Sequence, residues 1–210
     1  MKTVKVFTLI MALIVIIVLA GCATTDTTAP ASAQSNASKF IPPSAWKPAD
    51  SDSPGTTKSN FTGIEVIAGK EKDVLTMEVT FVNQDDDPFL MDGGTTRWGS
   101  FEIKDESILS QVRKASGVRF KAIGDGKRWK LVFHTKETMV DFCSYEAEIK
   151  TVNNKVVNIN IPFNSLKQPT WGKKVPFVKD NIMNVSLQRH TNTISDIGTS
   201  TLKVFDFEFY

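Results

Sequence analysis

The chain has 210 residues, 41% of them hydrophobic, and carries 25 Lys and Arg against 23 Asp and Glu with only two His. So balanced a charge argues against a polyanion-binding protein, because nucleic-acid affinity rests on a basic excess, and nucleic acid is excluded from the expected partners. Of the two cysteines, Cys22 is expected to carry lipid, which leaves Cys143 alone and unable to form an intramolecular disulfide, so core burial has to hold the fold together.

In chain order, Lys2 and Lys5 precede an apolar run from Val6 to Ala20, which is short for a membrane span and right for a signal peptide. The run ends in Leu19-Ala20-Gly21-Cys22, which resembles a bacterial lipobox, where small residues open the bond before a lipid-bearing cysteine. Residues 1–21 are thus expected to be removed and Cys22 to be lipidated. That would tether the protein to a membrane of the bacterial cell envelope, in the periplasm or at the surface. An uncleaved helix with an incidental cysteine is the alternative. Losing Lys2 and Lys5 removes no acid and leaves 23 basic against 23 acidic residues.

Residues 22–39 are rich in Thr, Ala and Ser and lack large apolar side chains, so they read as the lipidated cysteine and a flexible stalk. From Phe40 to Asn60, Pro42, Pro43, Pro48 and Pro54 predict extended chain leading into the domain, with Trp46 packed on its edge. Residues 40–210 then form one domain, expected to be monomeric. Strand-like runs fall at Phe61–Ala68, Val74–Asn83, Arg97–Ile103, Cys143–Thr151, Lys155–Phe163, Ile182–His190 and Thr201–Phe209. With the two strands between Gly117 and His134, they predict an all-β sandwich of about eight or nine antiparallel strands. A single short helix is conceivable, at Asp105–Lys114.

The segment Gly117–His134 organises the rest. Val118, Phe120 and Ala122 alternate with Arg119 and Lys121; Trp129, Leu131 and Phe133 alternate with Arg128, Lys130 and His134. Gly124-Asp125-Gly126 between the arms suits a tight turn and predicts a hairpin. Parity then assigns a functional face. With Trp129, Leu131, Phe133, Tyr145, Ala147, Ile149, Val185 and Leu187 directed inward, Arg128, Lys130, His134, Glu146, Glu148, Ser186, Gln188 and His190 share the opposite side. Such a mixture suits sugar hydroxyls, which both donate and accept, and equally an ordinary solvated face with cross-strand ion pairs. Trp98 and Trp171 are candidate aromatic platforms contributed by loops.

Signals for enzymatic chemistry are sparse. No GxSxG elbow, P-loop or zincin motif occurs, the two histidines lie far apart, and Cys143 has the parity of a buried structural thiol. Glu146 and Glu148, two apart on one strand, have a spacing admissible for a glycosidase. A non-catalytic protein is the expectation.

A strand, the Gly124-Asp125-Gly126 turn, an aromatic strand and a later apolar strand ending in Ile161-Pro162-Phe163 occur together here. In this combination the chain resembles the jelly-roll family of family 11 carbohydrate-binding modules and complex I intermediate-associated proteins, over Gly117–Tyr210 and less closely from Phe61. The resemblance implies a galactose-binding-like jelly-roll β-sandwich. For one branch it implies a β-glucan or related polysaccharide on a concave sheet face, for the other an assembly or protein-interaction role in the envelope. The chain departs from the family's ligand-face tyrosines: Glu146 or Glu148 falls near one such place, and Val156 stands where tryptophan is frequent. The resemblance also implies structural calcium near the chain ends, for which Val204-Phe205-Asp206-Phe207 retains Asp206 as a candidate ligand. Asp85-Asp86-Asp87 is a second oxygen-rich stretch, read as a solvated turn.

Overall fold

The computed structural model describes residues 39–50, 56–81, 97–191 and 198–210. The expected signal peptide, Cys22, the stalk up to Ser38 and Asp85-Asp86-Asp87 lie outside them. In chain order the strands are β1 (Lys47–Asp50), β2 (Thr56–Ile67), β3 (Lys70–Phe81), β4 (Arg97–Ile103), β5 (Gly117–Gly124) and β6 (Trp129–Thr135). β7 (Tyr145–Ile149), β8 (Val156–Pro162), β9 (Ile182–Thr191) and β10 (Gly198–Phe209) complete them, with helix α1 (Glu106–Lys114) between β4 and β5.

Two five-stranded antiparallel sheets, ordered β1-β4-β9-β6-β7 and β2-β3-β10-β5-β8, pack face to face as a jelly-roll β-sandwich. Period-two alternation produces this arrangement. Trp129, Leu131, Phe133, Val185 and Leu187 from the first sheet meet Met77, Val79, Val118, Phe120, Ala122, Leu202 and Val204 from the second in one core. β10 keeps its apolar side inward through a bulge. Its pairing with β5 shifts register between Phe205 and Glu208, so Phe207 follows Val204 into the core three residues on. Asp206, at φ 53°, takes up the extra residue.

The hairpin expectation is corrected. β5 and β6 belong to different sheets, so Gly124–Lys127 is an arch carrying the chain from one layer to the other. Alternation had identified the inward faces of both arms but not their neighbours: β5 pairs with β10 and β8, β6 with β9 and β7. Of the two turn glycines only Gly126 has positive φ, at 79°. Gly124 is required for space, since a Cβ there would lie 2.5 Å from Thr151 Oγ1. The Asp125 carboxylate accepts from the Lys127 backbone N–H at 2.9 Å and from that of Thr201 at 3.0 Å, fixing the arch to β10.

Helix α1 begins where Asp105 Oδ1 accepts the Ser107 N–H at 2.8 Å, and it buries Ile108, Leu109 and Val112 along one stripe. Within the described part of the proline-rich entry, Pro43–Ala45 form one turn of 3-10 helix ahead of an extended segment. Lys47–Asp50 pairs with β4 as an edge strand, and Trp46 is 5% exposed, its ring edge-on to Phe207 at 5.1 Å.

Candidate functional site

The first sheet's outer face is the floor of a cleft of about 660 Å³. Register builds it from strands far apart in sequence. Across β4, β9 and β6, Trp98 lies opposite His190, Lys130 opposite Gln188, Val132 opposite Ser186 and His134 opposite Asn184. Two connections wall the cleft: the β6–β7 connection with Met139, Asp141, Phe142 and Ser144, and the β8–β9 connection with Pro169 and Trp171. An aromatic cluster holds the second wall down. Phe163 and Phe177 both pack on Phe133, at 5.0 and 6.1 Å, and Tyr145 tilts against Phe177 at 4.8 Å.

Of the expected face residues, Arg128, Lys130, His134, Glu146, Gln188, His190, Trp98 and Trp171 all line this cleft. Trp98 stands on β4 and not on a loop. Ser186 is fully buried beneath the floor, and Glu148 is exposed outside the lining. The face is also less solvated than parity alone implies. His134, Ser186 and Gln188 are 9%, 0% and 7% exposed because the two walls stand over them.

Beneath the cleft the polar groups form one directed chain. Gln188 Nε2 donates to Ser186 Oγ at 2.8 Å and faces His134 Nε2 at 3.4 Å, so that nitrogen is the acceptor. His134 Nδ1–H then donates to Ser144 Oγ at 2.7 Å, Ser144 to Thr138 Oγ1 at 3.3 Å, and Thr138 to the Thr135 carbonyl at 3.1 Å. At the other end His190 Nε2–H donates to Gln188 Oε1 at 2.6 Å. Each histidine therefore carries one proton. Burial, ahead of the opposing charges of Glu102 and Lys104, lowers the His134 pKa to about 4. Burial lowers that of His190 to about 3, aided by the charges of Lys130, Arg128 and Arg189.

The cleft's charges balance. Glu102, Asp141 and Glu146 face Lys104, Arg128 and Lys130. Lys130 Nζ holds both Glu146 oxygens, at 2.8 and 2.7 Å, and Lys104 pairs with Glu102 at 2.5 Å. Hydrogen bonds from the backbone N–H groups of Lys173 and Cys143 hold the Asp141 carboxyl below the usual range. Glu146 is thus committed to Lys130, and Glu148 stands apart from it outside the cleft.

Sequence reasoning missed several lining residues. Val132 and Asn184 share parity with residues that were singled out, and that same alternation would have found them. Phe142 and Met139 sit on an irregular connection where alternation carries no signal. Arg189 has inward parity and is fully buried, where its Nε donates to Ser200 Oγ at 3.1 Å and its Nη1 to the Arg128 carbonyl at 3.3 Å.

The calcium expectation meets residues that do not fit it. Asp206 lies on the other sheet, where its carboxylate accepts from Lys72 Nζ at 2.9 Å and from Lys121 Nζ at 3.1 Å, so cations already occupy its lone pairs. Against burial, which works the other way, these two lysines hold its carboxyl below the usual range. Among the described residues no three of His, Cys, Asp or Glu gather as a metal site needs.

The structure is similar to the family 11 carbohydrate-binding module of a Clostridium thermocellum cellulosomal cellulase, with 12% identity, a TM-score of 0.46, and 78% of this chain and 85% of that one covered. It is similar to a family 30 carbohydrate-binding module at 15% identity and a TM-score of 0.45, covering 72% of each chain. A third similar structure is the family 30 module of another C. thermocellum cellulosomal cellulase, at 16% identity and a TM-score of 0.41, covering 75% of this chain and 91% of that one. No curated protein matches the sequence. The family described as complex I intermediate-associated protein 30 matches residues 59–198, more than half of the chain, and the protein belongs to that family.

Proposed function

We propose that the protein binds an uncharged polysaccharide in the cleft on its first sheet, without cleaving it. One observation carries this reading: a concave site of about 660 Å³ whose three acids and three bases balance, and which joins aromatic surface to fixed donors and acceptors. Sugar rings present both an apolar C–H face and hydroxyls that donate and accept, so a ligand of that kind uses both features at once. A formally neutral lining gives no net attraction to a polyanion. The volume accommodates a few sugar units, and a β-glucan-like chain is the ligand we favour. The protein is held at the cell envelope by lipid on Cys22, on the strength of the Leu19-Ala20-Gly21-Cys22 motif.

A glycan array probed with the purified protein tests the binding. Retention of neutral β-linked glucans is expected, with Trp171→Ala weakening it by about tenfold. The family match favours a second reading, in which the same cleft seats a segment of an envelope protein during assembly. A blank array together with specific capture of one membrane protein would select it. For the anchor, Cys22→Ser should move the protein out of the membrane fraction, and unchanged mass and partitioning in that variant would refute lipidation.

A further inference from the structure

Phe142 occupies the left-handed region, at φ 58°, while its side chain is 60% exposed in the cleft wall. A bulky residue is rare in that region because its Cβ crowds the following carbonyl, and it persists where the surroundings over-determine the backbone. Here they do. Asp141 Oδ1 accepts the Cys143 N–H at 3.1 Å and Oδ2 accepts the Lys173 N–H at 2.6 Å, joining the two walls. Cys143 Sγ donates to the Trp171 carbonyl at 2.8 Å. Gln168 bridges the Cys143 carbonyl at 2.5 Å and the Val175 N–H at 3.0 Å. Gly172, at φ 75°, lets the walls touch, since a Cβ there would lie 2.6 Å from that of Cys143.

This lock requires a left-handed residue at position 142, a requirement glycine would meet without strain. It does not require an aromatic ring, and the ring is mostly exposed, so burial does not explain it. What the ring does is stand in the cleft near Trp171, itself 55% exposed and one residue from the Gly172 contact. We propose that Phe142 is a ligand-contacting residue, forming with Trp171 an aromatic wall against which the C–H face of a pyranose ring stacks. The inference rests on the polysaccharide reading of this cleft.

The test compares wild type, Phe142→Gly and Phe142→Tyr, using hydroxyethylcellulose as a soluble neutral β-glucan probe in affinity electrophoresis, with a thermal melt of each protein. Glycine relieves the backbone and removes the ring, so Phe142→Gly should melt at or above the wild-type temperature yet bind at least about tenfold more weakly. Phe142→Tyr keeps the plane and should bind within about threefold of wild type. If Phe142→Gly binds as wild type does, the ring touches no ligand and the proposal fails while the polysaccharide reading stands. A melt several degrees lower for the glycine variant shows the ring to be structural and also overturns it. Failure of the wild type to bind the probe removes the β-glucan reading, and this proposal with it.

Discussion

Both cleft histidines are neutral because burial disfavours their charged forms, and the sign of the resulting pH dependence follows directly. In the unfolded chain each takes up a proton near the ordinary value of 6.5, whereas in the folded protein His134 does so only at about 4 and His190 at about 3. Between those limits the unfolded state binds more protons. Stability contributed by the neutral rings is therefore complete above pH 6.5 and is lost as pH falls towards 4 and then 3. At about pH 5 the two together should cost on the order of 4 kcal/mol relative to neutral pH. Urea unfolding at both pH values checks this: replacing His134 and His190 with Gln should flatten the slope, and an unchanged slope would show that the rings titrate normally. Gln188 is bound into the same chain at 7% exposure. Gln188→Ala should accordingly destabilise the fold by about 1–3 kcal/mol, more than a solvated face residue would.

At the scale of elements, the strands after β1 and their inward faces are legible in the sequence, because alternation of Trp129, Leu131 and Phe133 against Lys130 and His134 reports which side is buried. Strand partners are not. Gly124-Asp125-Gly126 looks the same whether the next strand folds back in its own sheet or crosses to the other, and only the core facing both arms decides that. The site divides along the same line. Its floor could be read from parity, while the wall bearing Phe142 could not, since a left-handed aromatic on an irregular connection leaves no periodic trace. The arch itself is testable. Asp125 ties it to the Thr201 N–H on β10, and Asp125→Ala leaves that partly buried donor without its acceptor. A loss of roughly 1–2 kcal/mol in chemical denaturation is expected. Gly124→Val, driven into Thr151, should cost more than that, and a wild-type melt for Gly124→Val would contradict the crossing described here.

Across the whole molecule the two sheets present different outer faces. The first carries the cleft. On the second, Lys72 and Lys121 flank Asp206, Lys203 binds both oxygens of Glu65 at 2.9 and 2.7 Å, and Arg119 and Lys39 meet Glu208. These pairs lie beside the β10 bulge, at the place where the family resemblance implies calcium and where this chain supplies ammonium groups. The bulge needs a residue that tolerates φ 53°, and Asp and Asn both do so more readily than other non-glycine residues. Asp206→Asn therefore keeps the backbone and deletes the charge, and with Lys121 44% exposed the loss should be only about 1 kcal/mol. Asp206→Val adds left-handed strain to the lost ion pairs and should cost clearly more. Because the face is on the opposite sheet from the cleft, neither substitution should change the carbohydrate binding proposed for the cleft in the protein that remains folded. Lysine charges in place of a metal also lead us to expect that chelator and added calcium leave the melting temperature where it is. A melting point lowered by chelator and restored by calcium would show that a metal, and not Lys72 and Lys121, neutralises Asp206.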